Sequence, residues 1–349
     1  MRIGLAGATG LVGREFLALL ARRGFPPGEL RLFASERSAG TTLNLGAVAL
    51  PVADLATADL REIDVWFASI GKAAARQHAP RLAAAGAVVI DNSSAFRSEA
   101  EVPLIVPEVN GAALSAASVT RAALAARQGR SAQGAIIANP NCTTILLATA
   151  IAPLERAFGL EEVVVSTYQA VSGAGRAARD ELFDQARAFA RGEQERHAHY
   201  DRPIFLNLLP KIGAWHGGDC FEEIKVARET RRLLGRTELP IHVTTVRVPV
   251  ERCHSLSVYL RLRWPVTAGE VEAALAGAAG VELADLPTPR ELARREAVFA
   301  GRVRVAPEDR RVVQLWVVGD QLWKGAALNV LQIADLLARE GWFESAAIA

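Results

Sequence analysis

The sequence predicts an α/β protein of two domains: a Rossmann-type domain built on a doubly wound parallel sheet, and an α+β domain built on a mostly antiparallel sheet. A length of 349 residues is more than one hydrophobic core usually supports, so about two domains are expected. In the first 140 residues, short apolar strand patterns alternate with helical patterns. Beyond that point the strand patterns become longer, and the helical runs lie between them.

The chain opens with a strand pattern at residues 3–6, a glycine-rich loop at 7–13 and a helical run at 15–23. Glycines in such a loop let the backbone approach a pyrophosphate, whose charge meets the N-terminus of the helix. Strand, glycine loop and helix in this order therefore indicate a dinucleotide site. The spacing G-x-x-G-x-x-G is looser than the common G-x-G-x-x-G. A glycine-rich turn without a ligand is the structural alternative.

The residues after the second strand pattern, at 30–35, bear on the choice of cofactor. Ser35, Glu36, Arg37 and Ser38 stand where an acid suits the ribose hydroxyls of NAD, whereas an arginine suits the 2′-phosphate of NADP. Glu36 and Arg37 point to different cofactors, and the two serines beside Arg37 favour NADP. Further strand patterns at 65–69 and 87–91 flank a helical stretch at 73–85, which completes a Rossmann-type alternation.

A cysteine stands where the sequence predicts the start of a helix. Residues 139–144 read Asn-Pro-Asn-Cys-Thr-Thr and precede an apolar stretch at 145–152. Pro140 keeps the residue before it extended, and Asn141 is a good N-cap. Cys142 would then lie among unpaired backbone N–H groups at the positive end of the helix dipole, which favours the thiolate. A nucleophile and a buried structural cysteine are both compatible with this position.

The second domain follows from the pattern beyond this cysteine. Strand patterns occur at 162–169, 241–250, 254–264 and 311–318, and helical runs at 176–191, 221–234 and 271–279. A helix and a variable loop are expected at 121–134. The final amphipathic helix, from 325 to about 340, is expected to fold back on the first domain. We therefore predict a dinucleotide-binding domain at 1–140, completed by 322–349, and a catalytic domain at 141–321.

Composition and charge exclude several classes of protein. A formal net charge of +2 gives no strong attraction to nucleic acid or to a membrane surface. We find no secretory segment at the start of the sequence and no apolar run of membrane-spanning length. Three widely spaced cysteines fit a reducing cytoplasm and offer no zinc spacing. His197 and His199 have a spacing that a metal site can use, but we expect 192–201 to be a solvated loop and predict no metal.

Three further segments concentrate polar side chains. Gln169 ends a strand pattern and precedes a second glycine turn, and Glu222 and Lys225 are neighbours on one face of a predicted helix. Arg247 and His254 lie on either side of a break at 249, so the direction of the histidine does not follow from strand alternation. Each has a structural alternative: a strand-end hydrogen bond, a solvated ion pair or a satisfied histidine.

Together these segments resemble the aspartate-β-semialdehyde dehydrogenase family over nearly the whole chain. The matching segments are the glycine loop 7–13, DNSSAFR at 91–97, VPLIVPEVN at 102–110, NPNC at 139–142, QAVSGAG at 169–175, EEIK at 222–225, RCHS at 252–255 and KGAA at 324–327. So many motifs in one order make the resemblance specific. The chain departs from the family pattern at two positions. Thr143 stands where serine is usual, and Gln321 stands where the family has an asparagine that is associated with the cofactor.

The resemblance implies a role for each matched residue. Cys142 would be the nucleophile and His254 the general acid/base. The substrate would be bound by Gln169, Arg247 and Glu222, which would meet the acyl group, the α-carboxylate and the ammonium respectively. The phosphate would be bound by Arg97, Asn141 and Lys225. The residues expected to contact NADP are Gly7, Thr9, Gly10, Leu11, Val12, Gly13, Ser35, Arg37, Ser38, Ser172, Gly173 and Gln321.

The implied activity is the reversible, NADP-dependent reductive dephosphorylation of 4-phospho-L-aspartate to L-aspartate 4-semialdehyde, through a thioester on the cysteine. This reaction serves lysine (diaminopimelate), threonine, methionine and isoleucine biosynthesis. A homodimer formed through the sheet of the second domain is also implied. Two alternatives stay open: a related acyl-phosphate reductase, such as N-acetyl-γ-glutamyl-phosphate reductase, and a non-catalytic paralogue that acts as a scaffold. Glu222 separates the implied activity from the first of these alternatives, because a carboxylate at that point stabilises a free ammonium but not an acetylated nitrogen.

Overall fold

The computed structural model describes residues 1–115 and 135–343, and the chain divides into two compact units. The first unit comprises Met1–Pro140 together with Ala326–Ala349, and the second comprises Asn141–Gly325. The helix and loop expected at 121–134 lie outside the described residues.

The first unit is built around one sheet. Its strands are β1 (Ile3–Ala6), β2 (Leu30–Ala34), β3 (Thr42–Leu45), β4 (Val48–Asp54), β5 (Val65–Ala68), β6 (Val88–Asp91) and β7 (Ile136–Ala138). Its helices are α1 (Leu11–Arg22), α2 (Lys72–Ala84), the short α3 (Pro107–Asn110) and α4 (Ala112–Ser115), and the C-terminal helix Leu328–Arg339. The strand order is β3-β4-β2-β1-β5-β6-β7, and every neighbouring pair except β3–β4 is parallel. The prediction of a doubly wound parallel sheet is therefore confirmed.

The second unit carries a six-stranded mixed sheet and a separate two-stranded sheet formed by its second and third strands. Its strands are β8 (Leu160–Ala170), β9 (Trp215–His216), β10 (Asp219–Cys220), β11 (Ile241–Val248), β12 (His254–Leu262), β13 (Val281–Leu283), β14 (Val298–Val305) and β15 (Val312–Gly319). Its helices are α5 (Cys142–Phe158), α6 (Arg176–Ala190), α7 (Phe221–Leu234) and α8 (Ala268–Ala276). The main sheet has the order β11-β8-β12-β15-β14-β13. Its pairs β8–β12, β12–β15 and β14–β15 are antiparallel, whereas β11–β8 and β13–β14 are parallel, so the predicted mostly antiparallel sheet is confirmed.

The two faces of this sheet have different surroundings. On one face, alternate residues such as Val165, Leu256 and Leu315 are buried in a core that includes the apolar side of α5. The register places Val164, Ser257 and Trp316 among the residues of the opposite face, and these are partly or fully exposed. Because side chains alternate along a strand, one face packs as core and the other remains a surface. Among the described residues, no helix combines the length and apolar character needed to cross a membrane.

Candidate active site

The glycine loop of the first unit has the shape that a dinucleotide requires. Gly7 has a φ of +87°, and a Cβ there would lie 2.3 Å from the carbonyl oxygen of Ser69. A Cβ on Gly13 would lie 2.4 Å from the carbonyl oxygen of Gly7. The helix α1 begins directly after Gly10, which has no side chain to cap it. The first-turn N–H groups of α1 therefore remain available to an anion, and these residues fit a bound pyrophosphate.

The segment after β2 is where the 2′-phosphate of NADP would be recognised. Residues Glu36–Ser38 form one turn of 3₁₀-helix directly after Ser35, and the Arg37 side chain is exposed there. The donors available at this turn are a guanidinium and serine hydroxyls. Such a set fits a 2′-phosphate, so the residues present are compatible with NADP.

Cys142 is the first residue of α5, and its neighbour Asn141 caps that helix. The Asn141 Oδ1 accepts hydrogen bonds from the backbone N–H groups of Thr143 at 2.9 Å and Thr144 at 3.2 Å. The predicted N-cap is confirmed. The half-buried Cys142 places its Sγ 3.5 Å from the Nε2 of His254. A thiol at the first turn of a helix and beside an imidazole is in an environment that favours the thiolate.

His254 begins β12 and is fully buried. Its Nδ1 accepts a hydrogen bond from the backbone N–H of Ala170 at 3.0 Å. The carbonyl oxygen of Ala170 in turn accepts a hydrogen bond from the Arg247 Nη1 at 2.7 Å. One residue at the end of β8 therefore orients both the imidazole and the guanidinium. Burial, reinforced by the Arg247 charge and opposed by Glu222, lowers the pKa of His254 to about 3.

A buried polar cluster surrounds the cysteine on the side of α7. Lys225 Nζ lies 2.5 Å from the Oε2 of Glu222, and the Asn141 Nδ2 donates to the Oε1 of Glu222 at 2.9 Å. The Gln169 Nε2 is 3.5 Å from the same Oε1 and 3.3 Å from the Thr167 Oγ1. Burial alone raises the pKa of Glu222, but Lys225, Asn141 and Arg247 outweigh it, so the net pKa lies below its usual range. The Glu222 side chain of this ion pair is buried and the Lys225 side chain is partly exposed, so the pair is more shielded from solvent than one on a surface helix.

Two glycines let the site pack closely. A Cβ on Gly173 would lie 2.9 Å from the His254 Cε1 and 3.3 Å from the Arg247 Nη1. A Cβ on Gly325 would lie 2.9 Å from the Cβ of Cys142. All three distances are below the range of ordinary van der Waals contacts. Gly173 and Gly325 therefore act as spacers that only a residue without a side chain can fill.

Two residues that follow β15 bind the loop before His254 through a hydrogen bond and an ion pair. Gln321 accepts a hydrogen bond from the Cys253 N–H at 2.8 Å through its Oε1, and its Nε2 donates to the Ser172 Oγ at 2.7 Å. Cys253 has a φ of +69°, which is unusual for a residue with a side chain. Asp320 lies 2.6 Å from the Nε of Arg252. Ser172 and Gln321, which we expected at the cofactor, are thus hydrogen-bonded to each other, and Gln321 holds the loop before His254 in place.

A cavity of about 510 Å³ opens beside Arg247 within the second unit. Its wall includes Arg202, Tyr200 and an ion pair in which the Lys211 Nζ lies 2.7 Å from Asp201. Four charged side chains line this cavity, namely the cations Arg202, Lys211 and Arg247 and the carboxylate Asp201, so their summed charge is positive. A cavity of this size and charge suits a small anionic molecule. The segment 192–201 contributes to this wall, and no metal-ligand cluster occurs among the described residues.

The structure brings most of the expected chemistry into the second unit. Asn141, Cys142, Gln169, Glu222, Lys225, Arg247 and His254 form one connected group there. Arg97 belongs to the first unit, where it is buried and its Nη2 donates to the Asn92 carbonyl at 2.9 Å. The sequence interpretation missed Glu229, which accepts a hydrogen bond from the Asn141 N–H at 2.6 Å. Its place seven residues after Glu222, on the same helix face, was the available signal.

Comparison with known proteins identifies the two units. Residues 2–117 match the model of the semialdehyde dehydrogenase NAD binding domain, and residues 151–324 match that of the semialdehyde dehydrogenase dimerisation domain. The aspartate-semialdehyde dehydrogenase of Synechocystis sp. is 40% identical over 98% of this chain and 98% of its own length. That of Streptomyces akiyoshiensis is 41% identical over 97% of this chain and 99% of its own length.

A solved structure with the same fold also belongs to an aspartate semialdehyde dehydrogenase. The crystal structure of aspartate semialdehyde dehydrogenase II from Vibrio cholerae, complexed with ASA, superposes with a TM-score of 0.88 at 37% identity. The match covers 97% of this chain and 98% of the other. Family models for both domains, relatives of about 40% identity at full length and a shared fold agree, and the chain belongs to the aspartate-semialdehyde dehydrogenase family.

Proposed function

We propose that this protein is an aspartate-semialdehyde dehydrogenase, which converts 4-phospho-L-aspartate and NADPH reversibly to L-aspartate 4-semialdehyde, phosphate and NADP. The observation that carries the proposal is the 3.5 Å approach of the Cys142 Sγ to the His254 Nε2 at the start of α5. Full-length relatives that are named aspartate-semialdehyde dehydrogenase support it. The reaction places the enzyme in the biosynthesis of lysine, threonine, methionine and isoleucine.

Cys142 acts as the nucleophile. Its thiolate attacks the acyl carbon of 4-phospho-L-aspartate, the acyl C–O bond breaks, and phosphate leaves. The product is a thioester on Cys142, and NADPH, when bound, supplies the hydride that reduces it. Expulsion of the thiolate then releases the semialdehyde. The positive end of the α5 dipole, at a first turn that Asn141 caps, stabilises the sulfur anion in both steps.

The buried polar side chains bind the substrate. Arg247 meets the α-carboxylate, because a planar fork accommodates two carboxylate oxygens and the cavity beside it is positive. Glu222 meets the ammonium, and its lowered pKa keeps it charged. Gln169, at the end of β8, orients the acyl group. Lys225, Asn141 and Arg97 meet the phosphate.

The cofactor is NADP, and the first unit holds it. Residues 7–13 receive the pyrophosphate at the start of α1, where the glycines leave room for the close approach of a phosphate. Arg37 with Ser35 and Ser38 meets the 2′-phosphate. Ser172, Gly173 and Gln321 are the contacts expected from the second unit.

The working form is a homodimer, in which the exposed face of the second unit's sheet meets its counterpart. This face includes Val164, which is 39% exposed, and the rings of Tyr168 and Trp316, whose centroids lie 5.4 Å apart with an angle of 45° between their planes. The match of residues 151–324 to a dimerisation domain supports this assignment. We also place the protein in the cytoplasm, because Cys142, Cys220 and Cys253 form no disulfide among the described residues.

A related N-acetyl-γ-glutamyl-phosphate reductase would not need a buried carboxylate beside the substrate nitrogen, because that nitrogen is acetylated and uncharged. In this protein the buried Glu222 is the carboxylate at that position. A non-catalytic scaffold would not need the connected group around Cys142. A steady-state assay tests all three possibilities. Purified protein is given L-aspartate 4-semialdehyde or the N-acetylated glutamate semialdehyde, with phosphate and either NADP or NAD. We expect reduction of NADP with the aspartate compound, and a preference for the N-acetylated compound or no turnover would contradict the proposal.

A further inference from the structure

Three asparagine side chains, those of Asn329, Asn139 and Asn92, are hydrogen-bonded in series inside the first unit and form an asparagine network. The Asn329 Nδ2 donates to the Asn139 Oδ1 at 2.7 Å, and the Asn139 Nδ2 donates to the Asn92 Oδ1 at 2.8 Å. Asn329 and Asn139 are fully buried. The network runs from the C-terminal helix to the ends of two neighbouring strands, because Asn139 follows β7 and Asn92 follows β6.

A backbone carbonyl sets the direction of the asparagine network. The Asn329 Nδ2 also donates to the Ile105 carbonyl oxygen at 3.1 Å. A carbonyl oxygen only accepts, so the NH₂ end of the Asn329 amide must face it. With that amide fixed, Asn139 presents its oxygen to Asn329 and its NH₂ group to Asn92. The orientation of the Asn92 amide is therefore set from the C-terminal helix.

Asn92 is held through both its side chain and its backbone, and it in turn holds Arg97. Its backbone N–H donates to the Ala68 carbonyl oxygen at 2.8 Å, and its side chain accepts from Asn139. The Asn92 carbonyl oxygen accepts a hydrogen bond from the Arg97 Nη2 at 2.9 Å, and Arg97 is buried. Because a guanidinium is a rigid planar fork, fixing one of its nitrogens restricts where the others point. Asn92 therefore sets the position of the Arg97 fork.

The short turn between Asn92 and Arg97 is itself hydrogen-bonded. The Asp91 carboxylate accepts hydrogen bonds from the Ser93 backbone N–H at 3.1 Å and from the Ser93 Oγ at 2.7 Å. The Ser93 Oγ accepts a hydrogen bond from the Ala95 N–H at 3.0 Å. These contacts tie successive residues of the turn together. A shift of Asn92 is therefore passed on to Arg97 rather than absorbed between them.

We propose that Asn329 is a positioning residue of the phosphate site, which acts through Asn139 and Asn92 to hold Arg97 where it meets the phosphate. The proposal rests on the proposed function, in which Arg97 is one of the residues that bind the phosphate. Asn329 makes no contact with the substrate, and its effect reaches the phosphate through Arg97. The C-terminal helix thereby serves the reaction as well as the core of the first unit.

Steady-state kinetics in the oxidative direction test this role, with L-aspartate 4-semialdehyde, NADP and inorganic phosphate varied in turn. Asn329→Ala removes the first donor of the asparagine network. We expect the KM for phosphate to rise about tenfold, the size of effect that residues of a coupled network have. The KM for NADP and the KM for the semialdehyde should not change. An unchanged KM for phosphate in the folded variant, or an equal rise of all three KM values, would overturn the proposal.

Asn110→Ala is the matched control. The Asn110 side chain also binds the backbone of the first unit near Ile105, where it accepts from the Val106 N–H at 3.0 Å and donates to the Leu104 carbonyl oxygen at 2.8 Å. It takes no part in the asparagine network. Denaturant unfolding should show a loss of stability in both variants, because both lose side-chain hydrogen bonds to the backbone. Only Asn329→Ala should raise the KM for phosphate, and an equal rise in Asn110→Ala would refute the positioning role.

Two further variants show whether Asn329 acts through Arg97. Asn139→Ala breaks the asparagine network at its middle link and should reproduce the kinetic result of Asn329→Ala. In an Arg97→Ala background, Asn329→Ala should add nothing further to the rise in the KM for phosphate, because residues that act through one another are not additive. Additive effects of Asn329→Ala and Arg97→Ala would overturn the proposal.

Binding of inorganic phosphate to the full-length protein gives a readout that needs no turnover. A titration followed by ³¹P NMR should show weaker binding to Asn329→Ala than to Asn110→Ala. Equal phosphate affinities of these two folded variants would refute the role of Asn329. Wild-type protein that binds phosphate but does not turn over the semialdehyde would refute the proposed reaction instead, so the two failures are distinguishable.

Discussion

Glu229 accepts a hydrogen bond from the backbone N–H of Asn141 at 2.6 Å, although 88 residues separate the two in the chain. Glu222, two turns earlier on α7, accepts a hydrogen bond from the side chain of the same asparagine. Both carboxylates are buried. The helix α7 therefore holds the N-cap of α5, and through it the position of Cys142, from two points.

Removal of this cap should impair both stability and turnover. Asn141→Ala loses the acceptor for the N–H groups of Thr143 and Thr144, which costs about 0.5–2 kcal/mol of unfolding free energy. Thr267→Ala is the matched control, because Thr267 caps α8 in the same unit. Denaturant unfolding should show a comparable loss for both variants, but only Asn141→Ala should lower kcat. Equal kcat values for the two variants would contradict the claim that the Asn141 cap positions Cys142 for catalysis.

A methyl group on Gly173 should displace the imidazole. Gly173→Ala places a Cβ 2.9 Å from the His254 Cε1, so we expect kcat to fall by about 10²-fold, as small displacements of reacting groups do. Gly218→Ala is the control, because a Cβ there meets nothing within 4 Å and the residue is exposed. Steady-state kinetics of both variants check this, and a Gly173→Ala enzyme with unchanged kcat would contradict the packing argument.

Substitution of Arg247 by lysine should act mainly on substrate affinity. Lysine keeps the charge but lacks the planar fork and the Nη1 that donates to Ala170. Loss of one charge-assisted hydrogen bond costs about 1.5–3 kcal/mol, or about a 10- to 150-fold rise in KM for the semialdehyde. The KM for NADP should not change. Arg202→Lys, on the wall of the same cavity, is the control and should change KM by far less.

The lowered pKa of His254 should make stability depend on pH. In the folded protein the pKa is about 3, whereas an unperturbed histidine titrates near pH 6.5. The unfolded chain therefore binds more protons between these values, so the stabilising effect is complete above about pH 6.5 and is lost as pH falls towards 3. Comparison of wild type with His254→Gln cancels the other groups. The advantage of the wild type should shrink from pH 7 to pH 5, and parallel curves would contradict the assigned burial.

The sequence predicted the elements around the site well, because each had a local cause. Asn141 before an apolar run specifies a capped helix, and the structure has α5 begin at Cys142. The hairpin of β3 and β4 and the strand β14 were missed. In β14 the register shifts between Gly301 and Arg304, which breaks the alternation by which a strand is recognised.

The relationships that orient the site could not be derived from local patterns. The contact between Ala170 and His254 joins residues that are 84 positions apart, and it depends on the pairing of β8 with β12. The break after β11 hid the direction of His254, which the positive φ of Cys253 sets. The burial of Glu222 with Lys225 was equally invisible, because an i,i+3 pair has the same pattern on a surface helix.

The central claim is that the acyl group of the substrate is transferred to Cys142. Mass spectrometry of the protein after brief exposure to 4-phospho-L-aspartate, without NADPH, tests it most directly. We predict one aspartyl adduct per chain, mapped by proteolysis to the peptide that contains Cys142, absent from Cys142→Ser and discharged as the semialdehyde when NADPH is added. An adduct on Cys220 or Cys253, or turnover by Cys142→Ser, would contradict the account.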